Sequence, residues 1–243
     1  MLITSTSNNY IKEICKLKEK KYRDTSDIFL VETKHLVLEA YKAGIIKELI
    51  LEKDELFPLD VKTIYVTKEI LKKISSLDSP PKVMATVYKR KEEKKIGEKV
   101  LILDRIQDPG NIGTIIRSAV AFNIDTIICS KDTVDIYNPK VIRASQGMIF
   151  HIPIIYQDTE ITIKELKEKD YKIIGTRVTS GHDVRTSSIY SHFALVIGNE
   201  GQGISKNIEE LCDEYLYIKM NENCESLNAS VAASILLYEI NNK

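Results

Sequence analysis

Three loops of this chain hold the residues whose types and spacing suit binding and chemistry. The first runs Asp104-Arg105-Ile106-Gln107-Asp108-Pro109-Gly110-Asn111-Ile112-Gly113-Thr114-Ile115-Ile116-Arg117. Asn111 suits a helix N-cap, and Arg117 then falls on the second turn of the helix that follows. Taken alone, the segment reads equally well as a capped helix with a surface arginine. The second loop is Gly198-Asn199-Glu200-Gly201-Gln202-Gly203 after the apolar run Phe193 to Ile197. Three glycines let a backbone approach a ligand with no Cβ in the way. Their order is the reverse of the dinucleotide fingerprint and no Gly-Lys-Ser/Thr follows, which disfavours nicotinamide cofactors and nucleoside triphosphates; a plain turn is the alternative. The third loop, residues 218 to 228, carries Glu225-Ser226-Leu227-Asn228 into an apolar helix, where Ser226 or Asn228 suits a cap.

Each loop ends or follows a predicted strand, which is where open α/β sheets place their ligands. From Val100 onward, short and wholly apolar strands alternate with helices: strands at 100–103, 126–129, 152–155, 171–175, 193–197 and 215–218, and helices at 112–122, 139–145, 161–168 and 226–240. Such strands predict a mostly parallel sheet with helices on both faces. The earlier part reads as a small α/β unit, with helices at 8–21, 34–43 and 68–75 and strands at 28–31, 45–51, 63–66 and 83–88. The charged segment 89–99 reads as a linker. The expected domains are therefore residues 1–95 and 96–243.

A chain of 243 residues, 43% hydrophobic and 29% charged, has enough apolar material for a core, and its formal net charge is zero. The charge is unevenly spread: residues 1–99 hold 21 Lys and Arg against 16 Asp and Glu. That excess is either a solvated face or a footprint for phosphates. No apolar run approaches the ~20 residues that span a bilayer, so no membrane partner is expected. Cys15, Cys129, Cys212 and Cys224 lack paired spacing and suit reduced thiols in the cytoplasm; with His35, His151, His182 and His192 they offer no metal-ligand pattern, and no metal is expected. Phe29 and Tyr41 lie in patterned elements and are expected in the core.

In series, Asn111-x-Gly113-x-x-x-Arg117, Gly198-Asn199-Glu200-Gly201-x-Gly203, Ile218-x-Met220 and Glu225-Ser226-Leu227-Asn228 resemble the SpoU (TrmH-like) family of RNA ribose 2′-O-methyltransferases. The resemblance covers roughly residues 100–243. The first part is similar to the L30e-like substrate-binding domain of rRNA-modifying members, with Phe29-Leu30-Val31-Glu32 as its best match. Departures stand at Lys219 and Glu222, where the family has Pro and Gly, and at Thr33, where it has Gly.

The resemblance implies a C-terminal knotted sheet of the trefoil SPOUT type, S-adenosyl-L-methionine as cofactor, RNA as substrate and a homodimer. It implies donor contacts at Thr176, Gly198, Gly201, Ile218 and Leu227. It places Arg117, Asn111, Glu200, Ser226 and Asn228 in the catalytic set, with Asn111 and Glu200 positioning Arg117. The guanidinium keeps its proton, so Arg117 is expected to stabilise the developing 2′-alkoxide rather than to act as the base. 23S rRNA is the favoured substrate. The alternatives are tRNA 2′-O-methylation and a non-catalytic RNA-binding protein on the same scaffold. The apolar side of the last helix, Val231, Ile235, Leu236 and Ile240, suits either the dimer interface or the core.

Overall fold

The computed structural model describes residues 1–90, 95–188 and 190–243. In chain order the first elements are β1 (Leu2–Ile3), α1 (Asn9–Lys16), α2 (Lys20–Ser26), β2 (Ile28–Glu32), α3 (Lys34–Lys42), β3 (Ile46–Glu52), β4 (Thr63–Val66), α4 (Lys68–Ile74) and β5 (Val83–Tyr88). There follow β6 (Lys99–Leu103), α5 (Pro109–Ala121), β7 (Thr126–Cys129), α6 (Pro139–Ala144), a 3-10 turn (Met148–Phe150), β8 (Ile154–Tyr156) and α7 (Thr159–Lys167). The chain closes with β9 (Lys172–Thr176), β10 (His182–Asp183), a second 3-10 turn (Val184–Thr186), β11 (Phe193–Ile197), α8 (Lys206–Glu209), β12 (Glu214–Tyr217) and α9 (Ala229–Asn241). Of the segment read as a linker, residues 91–94 lie outside the described residues.

The described residues form two compact units, 1–90 with Asp135–Phe150, and 95–134 with His151–Lys243. In the first, the sheet order is β1-β4-β3-β5-β2; β5 runs antiparallel to both β2 and β3. Ile11, Ile14 and Leu17 from α1 and the following turn meet Ile70, Leu71 and Ile74 of α4 over Ile50, Ile64 and Met84. Residues 135–150, which the sequence reading placed with the second domain, pack into this unit. Phe29 is 1% exposed, with its ring centroid 4.8 Å from that of Tyr137 and 6.1 Å from that of Phe150. Arg23 reaches Asp135 at 2.5 Å and donates to the carbonyls of Leu17 and Lys18 at 2.8 Å, which compensates for burying its charge.

Two expectations for this unit change. The helix expected over 8–21 is two helices. Of the second, α2, only Arg23 is buried, so it shows no apolar period. Tyr41 is 41% exposed rather than in the core, because it faces outward from α3. Thr33, where the family has Gly, holds a φ of 104° as the N-cap of α3. A β-branched residue is strained there, and its capping bond to the Leu36 amide is long at 3.4 Å. Thr33→Gly should therefore stabilise the protein by about 1 kcal/mol, because relief of strain outweighs the few tenths lost with the cap. A thermal melt should show a higher midpoint; an unchanged or lower one would contradict the strain.

The second unit is a seven-stranded sheet of order β10-β12-β9-β11-β6-β7-β8 in which every neighbouring pair is parallel. Its central strands β6, β7 and β11 are buried on both faces, as their unbroken apolar runs require. On one face Val100, Ile102, Ile128, Ala194 and Val196 pack under Ile163 and Leu166 of α7 and Ile204 and Ile208 at α8. α9 lies against α5, with the Ser118 and Ser234 hydroxyls 2.7 Å apart and the Phe122 and Tyr238 rings edge to face at 5.7 Å. From β6 the chain moves outward through β7 and β8, then crosses to the other side of β6. That reversal is the topological switch point, and the loops after β6, β9, β11 and β12 open beside it. The two-residue strand β10 has no apolar period and escaped the sequence reading. The four cysteines are free, and burial pushes the Cys129 thiol well above its ordinary range and that of Cys212 up to about 11. No helix among the described residues is long and apolar enough to cross a membrane.

Candidate active site

At the carboxyl ends of these parallel strands the second and third loops meet around a cavity of about 510 Å³, with the first loop behind them. It is lined by Thr176 at the end of β9, by residues 197–204 of the second loop, by Leu216 to Ile218 and Met220, and by Glu225, Ser226 and Leu227 of the third loop. Ala229, Ala232 and Leu236 of α9 form its floor. All five expected donor contacts, Thr176, Gly198, Gly201, Ile218 and Leu227, lie on this lining, as do Glu200 and Ser226. Asn111 and Asn228 stand just behind it. Arg117 is on the exposed side of α5, outside the lining, and among the described residues it makes no hydrogen bond or ion pair.

The first loop is organised differently from its sequence reading. α5 starts at Pro109, and its N-cap is Asp108, whose carboxylate accepts from the Asn111 amide at 2.8 Å. Proline at the first helical position marks the true start. Asn111 is thereby inside the first turn, 8% exposed, with its side chain free for other partners. Its Nδ2 donates to Glu200 Oε1 at 3.0 Å, while its Oδ1 accepts from Asn228 Nδ2 at 2.9 Å. Asn228 is the N-cap of α9: its Oδ1 accepts from the amides of Ser230 and Val231 and from the Ser230 hydroxyl. Glu200 also receives the amides of Gln107 at 3.4 Å and Asp108 at 3.2 Å.

One relay thus ties the three loops together. Its direction is fixed at both ends by backbone amides, which only donate: those of Ser230 and Val231 to Asn228 Oδ1, and those of Gln107 and Asp108 to the Glu200 oxygens. Glu200 and Asn111 do not touch Arg117, against expectation. Six residues of α-helix turn Arg117 about 120° away from Asn111 around the axis, and Glu200 is occupied by the first loop.

The second loop closes on itself through an antiparallel bridge, with the Asn199 and Gly203 amides donating to each other's carbonyls at 3.0 and 2.9 Å. Asn199 Oδ1 also takes the Gly201 and Gln202 amides, and its Nδ2 donates to the Arg105 carbonyl at 2.8 Å. A Cβ on Gly198 would lie 2.2 Å from the Gly203 carbonyl carbon and the Ile204 nitrogen, so only glycine permits this closure. Gly201 is different: a Cβ there would meet nothing closer than Asn199 Oδ1 at 3.8 Å. A side chain there would meet open space beside the cavity that Gly201 helps to line.

The cavity fits S-adenosylmethionine. Its volume is in the range of small-molecule sites; Ile197, Leu216, Ile218, Leu227 and Leu236 give an apolar slot for a purine, and Glu200, Glu209 and Glu225 suit the donor's cationic groups. Thr176 turns its hydroxyl back to the Val196 carbonyl at 2.9 Å, so it borders the slot as a packed wall. Arg177 and Glu209 belong to the lining and were not foreseen; the guanidinium sits 3.5 Å from the Tyr215 ring centroid and 3.6 Å from the Glu209 carboxylate. Nothing in the local sequence signals that pairing, since strand and helix bring it together. Asn199, which pins two loops, was inside the recognised motif but unassigned.

Comparison with known proteins now decides what this pocket belongs to. The model of the SpoU rRNA methylase family matches residues 98–238, and that of the MRM3-like substrate-binding domain matches residues 8–85. The chain belongs to the SpoU rRNA methylase family. It is accordingly an S-adenosylmethionine-dependent RNA ribose 2′-O-methyltransferase. It is 35% identical over 98% of both chains to the 23S rRNA (guanosine(2553)-2′-O)-methyltransferase RlmP of Bacillus subtilis. Among solved structures, an AdoMet-bound rRNA methyltransferase from Sinorhizobium meliloti matches all of this chain and 97% of that one, with TM-score 0.88 and 28% identity. The SpoU methyltransferase AviRb from Streptomyces viridochromogenes with AdoMet covers 97% of each chain at TM-score 0.87 and 25% identity. The cofactor-bound state of both neighbours agrees with the fit of the cavity.

Proposed function

We propose that this SpoU family member methylates the ribose 2′-hydroxyl of a guanosine in 23S rRNA, as a homodimer in the cytoplasm. The observation that carries the target is the 35% identity with the Bacillus subtilis enzyme, which runs through both the substrate-binding and the methylase regions. Residues 1–95 serve as the RNA-binding domain and 96–243 as the catalytic domain. The basic excess of residues 1–99 supports contacts to phosphates.

In this reading Thr176, Gly198, Gly201, Ile218 and Leu227 hold the donor. S-adenosylmethionine supplies an electrophilic methyl group on a sulfonium. Asn111, Glu200 and Asn228 fix the three loops against one another, and Ser226, exposed on the third loop, faces the incoming ribose. Arg117 stabilises the alkoxide as the 2′-hydroxyl proton leaves for a phosphate oxygen or water. Its exposed position outside its own chain's cavity supports a role at the cavity of the second copy. The apolar residues Val231 and Tyr238 of α9, 45% and 54% exposed, support an interface there, whereas Leu236 is core.

The trefoil knot belongs to the same proposal. α9 follows β12 yet packs on α5, so the third loop must return across the carboxyl ends of β9 and β11.

The reading of a non-catalytic RNA binder loses its motive. Lys219 and Glu222 are exposed and stand outside the cavity lining. The test is methylation of transcripts by purified protein with tritiated donor. Label is expected at one guanosine 2′-oxygen of a 23S rRNA fragment; label in tRNA alone, or none, contradicts the proposal.

A further inference from the structure

Beyond the relay through Asn111, the second loop is held from behind by Asp104 and Arg105, neither of which lines the cavity. Asp104 is still in the sheet, its amide donating to the Ile197 carbonyl at 2.9 Å. Its carboxylate, 2% exposed, accepts from the Ser205 amide at 2.7 Å, at the far end of the loop. Arg105 Nη1 donates to Gln202 Oε1 at 2.9 Å, mid-loop, and Nη2 lies 3.5 Å from the Gly203 carbonyl. The Arg105 carbonyl takes Asn199 Nδ2 at the near end. Two consecutive residues therefore fasten the loop at three places.

In an extended strand, successive side chains point to opposite faces, so neighbours cannot both reach one loop. Here they do because Arg105 adopts a φ of 60°, a left-handed conformation that costs a residue with a side chain about 1–2 kcal/mol. The turn also leaves Arg105 Nε buried without a hydrogen bond, 3.4 Å from Asp104 Oδ1 but poorly aligned. Such strain persists where the surroundings impose it, and it is common beside functional sites.

We infer that Arg105 is a positioning residue for the methyl donor: its left-handed turn and guanidinium strap hold the glycine-rich second loop in the shape that binds S-adenosylmethionine. Without the strap, a loop with glycines at 198, 201 and 203 has many other conformations to visit, and donor binding must select one of them. The inference rests on the second loop being a wall of the donor pocket.

Arg105→Ala and Arg105→Gly separate the strap from the strain, since both remove the guanidinium but only glycine relieves the backbone. Calorimetric titration of the full-length protein with S-adenosylhomocysteine should show about tenfold weaker binding for both variants, the effect of one or two lost hydrogen bonds. Arg105→Gly should nevertheless melt at a higher temperature than Arg105→Ala. With donor at saturation, kcat should stay within about threefold of wild type while the donor KM rises about tenfold. Affinity within twofold of wild type overturns the inference. So does affinity that follows melting temperature across the three proteins, which marks a general stabilising role, and so does a fall in kcat at unchanged KM, which places Arg105 in the chemistry. No binding by the wild-type protein overturns the donor-pocket reading itself, and this inference with it.

Discussion

Arg117→Ala should lower kcat by about 10³-fold while leaving S-adenosylhomocysteine affinity within about twofold, because the guanidinium acts on developing charge and not on the donor. Arg117→Lys should recover little, since an ammonium lacks the planar fork that serves alkoxide and phosphate together. The geometry adds a sharper consequence. Arg117 lies exposed on α5 and outside the cavity lining of its own chain, and in the homodimer proposed above it acts at the partner's pocket. A second variant, Gly201→Leu, should fill the pocket without disturbing the chain's own packing, as a Cβ there has open space around it. Each variant alone should be nearly inactive. Mixed and allowed to exchange subunits, they should regain about a quarter of wild-type activity, because half the dimers are mixed and each has one intact composite site. If mixing restores nothing while subunits demonstrably exchange, Arg117 works within its own chain and the shared site is wrong.

Substitution of Asn111 should have the next largest effect. Asn111→Ala removes the middle of the relay: Asn228 Nδ2 loses its acceptor, and Glu200 keeps the Gln107 and Asp108 amides but loses the side-chain donor that ties it to Asn228. The two lost hydrogen bonds together contribute about 1–3 kcal/mol, so kcat/KM should fall by about ten- to a hundredfold. Asn111→Asp should be worse than alanine, because it sets a second carboxylate against Glu200 where an amide now donates. The gap between the two variants should narrow as the pH is lowered through the ordinary carboxylate range, where the added carboxyl becomes neutral and can donate as the amide does. A steady-state comparison across that range checks this; an aspartate variant as active as alanine, or better, would show that the relay does not carry the predicted direction.

The sheet and its three loops were readable in the sequence because their signals are local. Val100 to Leu103 and Phe193 to Ile197 are apolar at every position, as strands buried on both faces must be, and the glycines at 198 and 203 are needed within a few residues of themselves. What escaped depends on distant partners. α2 is held by Arg23, whose partner Asp135 is 112 residues away, and that same contact draws residues 135–150 into the first unit. Asn111 has a side chain that suits a cap, but Asp108 before Pro109 is the better candidate by the same rule, and with Asp108 in that place Asn111 is released to join Glu200 and Asn228. Arg117 and Glu200 belong to one motif set, but helix geometry turns them apart in a single chain. Arg105 gave no sign, since a left-handed φ at a residue other than glycine comes from the contacts around it.

Methylation of one ribose 2′-oxygen of 23S rRNA, the activity proposed for this chain, can be read in the cell. The most direct measurement is a map of alkali-resistant linkages in rRNA from cells with and without the gene, and with the gene carrying Arg117→Ala. One 2′-O-methylguanosine, at the position equivalent to that named for the Bacillus subtilis relative, should be present with the intact gene and lost in the other two. An identical map in all three would contradict it.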